Sequence, residues 1–500
     1  MLDRKKLSRA YFTKNKIVQH QIDSFNEFID HGLQKVVDEM GVIETEVGDA
    51  SSGTKTYVRL ETVSVGHPVV KEADGAVDRL FPSDARLRNL TYSAPINLTM
   101  TVVQDGVESD PKSVEIGVTP IMLRSKACNL YGLTDAEIQS HGEDPLDPGG
   151  YFITNGTERV IMTLEDLAPN KIMTEIDHRY GDRVEIAKVF SERYGYRALT
   201  VVERGRKSIL EVSFPSLPGR INFVVLARAL GLETDKDLVD AVSDDPDIRE
   251  FMKENLEEAV NLGVFTQENA LEELGSVVAT RQAREYQTRR IGYVLDRYLL
   301  PHLGNAEADR MVKAHYLARM AEACFELATG RRNVDDKDHY ANKRLKLAGN
   351  LMEDLFRVSF NRLARDIKYQ IERASMRKRE LNIMTVIRPD VLTQRIVYPL
   401  ATGNWVGGRT GVAQLLDRTD QISSLSHLRR VISPLSRTQP HFEARDLHPT
   451  QWGRLCPSET PEGPNCGLVK NFAQMVELST GIEDTETIRN ELHAYGVSAV

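Results

Sequence analysis

Cysteine is scarce in this chain. Cys128, Cys324, Cys456 and Cys466 are the four thiols in 500 residues, too few and too scattered for a disulfide framework, a usage that suits a reducing compartment. Cys456 and Cys466 lack the spacing of a zinc knuckle, and no second pair or histidine couple completes a site, so both are expected to be buried thiols. No apolar run approaches the ~20 residues needed to cross a bilayer, so no membrane partner is expected. The amino terminus, Met1-Leu2-Asp3-Arg4-Lys5-Lys6, has neither an apolar core nor a small-residue cleavage site, and a cytoplasmic location is the expectation. Also missing are a nucleophile elbow, an H-E-x-x-H pair, a dinucleotide fingerprint and any internal repeat, so nothing indicates a self-contained hydrolase or dehydrogenase.

What is present is enough apolar sequence, 41%, to build cores in roughly two to four domains. The formal net charge of −9 argues at first against a polyanionic partner, but the average conceals an asymmetry. Residues 331–475 hold 24 Lys and Arg against 15 Asp and Glu, a local +9 inside a remainder of −18. Such a segment either focuses its field on a polyanion or is a solvated helix face; charge alone leaves both open.

The pattern along the chain is that of a multidomain α+β protein. Residues Lys14 to Met40 place Ile17, Ile22, Phe25, Phe28, Ile29, Leu33 and Val36 near a helical period until Gly41, whereas Lys55 to Ile121 read as short alternating strands. Asn155-Gly156 between two β-prone runs predicts a tight hairpin, because both residues tolerate positive φ. A mixed block from Leu167 to Arg332 has strands near Ala198–Val202 and Leu210–Phe214, then helices, with Met311, Met320, Cys324 and Leu327 spaced for one buried face. From Asp338 to Arg379 the pattern predicts one long helix, or two separated near Gly349. Its second face carries Arg357, Arg362, Arg365, Lys368, Arg373, Arg377, Lys378 and Arg379. Residues 401–475 lack clear periodicity and are rich in Gly, Pro, Ser, Thr and His, as loop-borne sites are.

Three local motifs compete with simpler readings. Gly403-Asn404-Trp405-Val406-Gly407-Gly408-Arg409-Thr410 has phosphate-loop spacing, but Arg409 stands where that loop needs a slim lysine, and neither a preceding buried strand nor a following helix is clear. A flexible loop offering Arg409 and the stacking surface of Trp405 to nucleic acid is the favoured reading; a P-loop-like nucleotide-binding enzyme is the rival. Asp335-Asp336-Lys337-Asp338-His339 has the composition of a divalent-cation site, yet acids before a helix serve its exposed amides equally well. Leu415 to Arg430, followed by Arg437, Arg445 and Arg454, combines hydroxyls and guanidiniums at a density that suits a surface tracking a phosphate backbone. The competing view is internal pairing with Asp417, Asp420 and Asp446. A nucleic-acid-binding scaffold would share these features.

Four stretches carry a family resemblance: Asn155-Gly156-Thr157-Glu158-Arg159-Val160, Asp336 to Leu345, Ser424 to Arg430, and above all His448 to Leu468, which includes Gly453-Arg454-Leu455-Cys456-Pro457-Ser458-Glu459-Thr460-Pro461-Glu462-Gly463. In this order they resemble the amino-terminal half of the second-largest subunit of multisubunit DNA-directed RNA polymerase, in the archaeal form where that subunit is split in two. The resemblance implies a protrusion (1–166 and 336–399) interrupted by a lobe (167–335), a loop-rich fork domain (400–475) and the start of an external domain (476–500). It implies contact with the RNA–DNA hybrid near Gln414, Asp417, His427, Arg429 and Arg430, joined by the arginines at 437, 445 and 454. The fork loops would be Leu400–Gly411, with Gly403, Trp405 and Arg409, and Ser436–Glu443, with Ser436, Thr438 and Gln439. The implied partners are the carboxyl-terminal half of the same subunit, the halves of the largest subunit, the assembly-platform subunits, template DNA and nascent RNA. The resemblance assigns no catalytic residue, metal ligand or cofactor to this chain; Mg2+ would serve the assembled complex, bound mainly by the largest subunit.

Overall fold

A computed structural model describes residues 3–14, 17–45, 56–72, 74–104, 106–179, 182–205, 208–280, 282–377, 383–479 and 485–497. The chain divides into two compact units, one assembled from Met1–Asp166 with Leu345–Val500 and the other continuous from Leu167 to Arg344.

In the discontinuous unit the opening helix begins later than its apolar period predicts. Arg4–Lys14 is a separate helix, and the packed element runs Gln19–Glu27, through a π-helical turn Phe28–Gly32, into Leu33–Met40. Gly41 ends it at φ +60, a conformation in which a side chain would strain the backbone. The strand-rich region forms a five-stranded antiparallel sheet of Val42–Glu44, Tyr57–Val65, Ser93–Gln104, Val107–Glu108 and Lys112–Pro120, and a two-stranded one of Val69–Lys71 and Val77–Arg79. Along its longest member Ala94, Ile96, Leu98, Met100 and Val102 are buried at every second position, as a strand with one face on a core requires.

The later helix runs Ala348–Met376, and Met352, Leu355, Phe356, Leu363, Ile367 and Ile371 are buried as their spacing predicts. Its start is a correction. Asp338 to Leu347 is not helical but contains a 3-10 turn, Tyr340–Asn342, and a strand, Lys343–Lys346. Gly349 does not separate two helices; it lets the first turn close on the early helix, donating its N–H to Ser24 Oγ at 2.9 Å, and a Cβ there would overlap the Ser24 carbonyl. A second correction concerns Arg357. It is no part of a basic surface but lies buried against Glu39 at 2.8 Å, Glu353 at 2.7 Å and Asp354 at 3.5 Å. Arg362, Arg365, Arg373 and Arg377 are exposed. Lys378 and Arg379 lie outside the described residues.

Asn155 and Gly156 form the expected hairpin, at φ 49 and 73, between Phe152–Thr154 and Thr157–Ile161. Late segments complete these sheets. Ala413–Leu415 pairs antiparallel with Thr157–Ile161, and Arg430–Ile432 lies parallel to Thr163–Leu167 and antiparallel to Val469–Asn471.

The continuous unit is a five-stranded antiparallel sheet of Met173–Arg179, Asp182–Arg193, Tyr196–Arg204, Leu210–Ser213 and Ile221–Asn222, with helices over it. Met320, Cys324 and Leu327 of helix Arg310–Thr329 are buried, whereas Met311, the second residue of the helix, is exposed. Asp335 accepts from the N–H and hydroxyl of Thr174 at 2.8 and 3.0 Å, and Asp336 from the N–H groups of Asp338 and His339 at 2.8 and 3.3 Å. These acids thus hold a turn and a strand, and the helix they were expected to cap starts only at Ala348. Of the thiols, Cys128 and Cys324 are buried, Cys456 is half-buried and Cys466 exposed, which corrects the expectation for the last two. No helix among the described residues is long and apolar enough to cross a membrane.

Candidate nucleic-acid interface

Gly403 closes helix Pro389–Thr402 at φ +80, and a Cβ there would stand 2.6 Å from the Ala413 carbonyl. The loop after it is tied at both ends. Trp405 is 5% exposed and its indole N–H donates to the Leu351 carbonyl at 3.2 Å, so the stacking surface expected from the sequence is inside the core. Arg409 pairs with Asp166 at 2.5 Å. The loop follows a helix and leads into the strand Ala413–Leu415, the reverse of the strand-to-helix setting a phosphate loop requires, which overturns the P-loop reading.

From this strand the chain turns into helix Gln421–Leu428. Asp420 caps it, accepting from Ser423 N–H at 2.6 Å while Ser423 Oγ accepts from Asp420 N–H at 3.0 Å. Asp417 Oδ1 accepts from the Thr419 amide at 3.0 Å and hydroxyl at 2.8 Å, bonds that hold its carboxyl below the usual range. His427 is buried at the centre. Its Nδ1 accepts the Asp417 N–H at 3.1 Å, so Nε2 carries the proton and lies 3.2 Å from Gln414 Oε1, while Gln414 Nε2 donates to the Gly411 carbonyl at 3.0 Å. Burial, helped by the Arg430 charge and opposed by Asp417, pushes its pKa down to about 4. Gln414, Asp417 and His427 thus form one connected group.

The arginines divide into two sets. Arg418 reaches Glu158 at 2.6 Å and Asp147 at 2.8 Å and lies over the Tyr151 ring at 4.9 Å, and Arg86 grips the same Glu158 at 2.8 Å. Arg429 turns inward, donating to the Ile17 carbonyl and to that of Ala473 at 2.6 Å. Burial lowers its pKa. Arg445 donates to the carbonyls of Pro440, Pro464 and Cys466 at 2.7, 2.8 and 2.8 Å, and of Gln439 at 3.3 Å, fastening one loop to the other. Gly467 makes this closeness possible, since a Cβ there would overlap the Arg445 backbone. In the second set, the Arg430 and Arg437 side chains have no hydrogen bond or ion pair among the described residues, and exposed Arg454 has one, to the Thr450 carbonyl at 2.8 Å. Ser436 and Thr438 are exposed and bonded to each other at 2.9 Å, beside exposed Gln439.

The internal pairing weighed from sequence therefore holds for several arginines, but with other partners than Asp417, Asp420 and Asp446. Arg418 with Asp147, Tyr151 and Glu158 is the supporting cluster that sequence reasoning missed; its one local sign was Glu158 beside the hairpin glycine.

A family model described as RNA polymerase beta subunit matches residues 16–394, and one described as RNA polymerase Rpb2, domain 3, matches residues 414–478. DNA-directed RNA polymerase subunit Rpo2N of Halobacterium salinarum is 58% identical over 507 residues, which cover 100% of this chain and 96% of that protein. The chain belongs to the second-largest-subunit family of DNA-directed RNA polymerase. Rpo2N of Methanocaldococcus jannaschii is 49% identical over 498 residues, 99% of each chain. In Saccharolobus shibatae, Rpo2 is 48% identical over 498 residues that make up 43% of a longer protein. This polymerase subunit thus matches the amino-terminal half of the split archaeal form.

A neutral buried imidazole ties the subunit's stability to pH. The unfolded chain protonates histidine near 6.5, whereas His427 and His302 resist until about 4 and His20 until about 3. Stability is therefore complete above about pH 6.5 and declines as pH falls toward 4, because the unfolded state binds more protons. Glu158, held below 4.5 by Arg418 and Arg86 although burial opposes them, responds only at lower pH. At pH 5, the pH dependence of the urea midpoint should report uptake of about three protons on unfolding, and about two in His427→Gln. An unaltered slope in that variant would show that His427 is not the group responsible.

Proposed function

We propose that residues 400–475 line the path of the RNA–DNA hybrid and the downstream fork, within a polymerase cleft of which this subunit forms one side. The observation that carries this reading is the division of the guanidiniums. Arg409, Arg418, Arg429 and Arg445 are committed to carboxylates and carbonyls of their own unit, which fixes the loops. Arg430, Arg437 and Arg454, with the hydroxyls of Ser436 and Thr438, keep donors available to an outside anion. A polymerase holds every sequence alike, so its channel needs phosphate and sugar contacts from preset donors, not base readers.

On this reading, the segments 1–166 and 336–399 are the protrusion, 167–335 the lobe, 400–475 the fork and 476–500 the start of an external domain; the compact unit's own limit at Arg344 extends the lobe by a few residues. The subunit works with the carboxyl-terminal half of its own subunit, the largest-subunit halves and the assembly-platform subunits in the cytoplasm. Nucleotidyl transfer occurs in that assembly, with the magnesium ions held mainly by the largest subunit.

The test is salt-dependent. In a reconstituted elongation complex, Arg430→Glu with Arg437→Glu should shorten the lifetime roughly tenfold at low salt and reduce the slope of its logarithm against log salt by about 1 per lost phosphate contact. Arg429→Gln should instead lower folding stability and leave the salt slope alone. Equal lifetimes of the double variant and the parent at every salt concentration would refute the assignment.

A further inference from the structure

The continuous unit presents a surface that the polymerase reading does not use. Residues 233–273 carry 14 acidic against 3 basic residues, and helix Arg284–Arg297 then reverses the sign. Tyr286, Arg290, Tyr293 and Arg297 recur at helical spacing along one stripe, and all four are exposed. The stripe is continuous with two further rings. Tyr293 lies 6.0 Å from Tyr298, and Tyr298 lies 5.9 Å from Tyr196 on the neighbouring strand, both edge to face. The Arg290 and Arg297 guanidiniums stand over the Tyr293 ring at 5.7 and 5.9 Å, and neither has an ion pair among the described residues.

Unpaired guanidiniums braced on tyrosines have the composition of a protein-binding hot spot. Contact with the Tyr293 ring restricts both guanidiniums in advance, so less side-chain freedom is lost when a partner arrives. Their arrangement also selects the partner. Tyr293 already meets two guanidiniums and a ring edge, and the N–H edges of Arg290 and Arg297 suit carboxylates in a bidentate pair. Seven residues of helix separate the two arginines by about 10 Å, close to one three-residue turn of an extended polyproline II chain, which returns every third side chain to the same face.

We infer that this tyrosine–arginine patch docks an acidic, extended segment of another polypeptide, with carboxylates three residues apart engaging Arg290 and Arg297. The inference stands independently of the fork assignment. The full chain is titrated into a dye-labelled 16-residue peptide bearing Glu at every third position, with a 16-nucleotide oligouridylate in parallel, and anisotropy is read. The expected result is saturable peptide binding weakened at least tenfold by Arg290→Glu with Arg297→Glu, several-fold by Tyr293→Ala, and less than twofold by Arg362→Glu with Arg365→Glu on the other unit. Circular dichroism melts check that these exposed substitutions leave the fold intact. Absent peptide binding, binding insensitive to the Arg290 and Arg297 pair, or oligouridylate bound through those arginines in preference to the peptide would each overturn the proposal.

Discussion

Supplied with magnesium, the four nucleoside triphosphates and a primed template, the purified chain should incorporate no nucleotide, and the same preparation added to the remaining subunits should restore full incorporation. Phosphodiester formation needs two metal ions about 3.5–4 Å apart to activate the attacking hydroxyl and stabilise the leaving group. Among the described residues no three His, Cys, Asp or Glu side chains converge to hold an ion. Near the candidate interface, Asp417 and Asp420 serve Thr419 and Ser423 of their own turn. On the proposed reading the subunit contributes placement and backbone grip, while a partner contributes the ions. Incorporation by the isolated chain, abolished by a chelator and free of contaminating subunits, would show that this division of labour is wrong.

Arg357→Ala should lower the unfolding free energy of the discontinuous unit by about 3–5 kcal/mol, the usual cost of removing one member of a buried ion cluster. The guanidinium faces Glu39 through two nitrogens, at 2.8 and 3.0 Å, and Glu353 through one, at 2.7 Å. Its loss leaves two half-desolvated carboxylates beside Asp354. Arg357→Lys should recover only part of the difference, because a single ammonium cannot match the bidentate geometry toward Glu39. Urea unfolding resolves these cases, and midpoints of all three proteins coinciding would mean the cluster is hydrated and nearly neutral in energy.

Locally determined features were legible in the sequence. The alternation of Ser93–Gln104 and the Asn155-Gly156 hairpin follow from side-chain direction and positive φ, which neighbours in the chain decide. The fate of each arginine was not legible, because its partner is remote in sequence: Arg409 meets Asp166 across 243 positions, Arg418 meets Glu158 across 260, and Arg429 meets Ile17 across 412. Trp405 failed as a stacking platform for the same reason, since only the fold brings the Leu351 carbonyl to its indole. The late helix starts later than its sequence pattern suggests because the polar run from Asp338 has no proline to mark the boundary, while strand pairing there overrides propensity. The cluster of Gln414, Asp417 and His427 entered through family resemblance; composition alone marked only a hydroxyl-rich, basic stretch.

The contact between Gly349 and Ser24 spans 325 positions and sets a timetable for the newborn polypeptide. At a ribosomal speed of ~5–20 residues per second, the first amphipathic helices emerge roughly 15–65 s before the segment that covers them. Meanwhile the intervening insert can reach its own native state. Phe28, whose ring meets Phe356 at 6.4 Å, waits that long for its partner, which makes the early translation product, not the finished subunit, the species most in need of a chaperone.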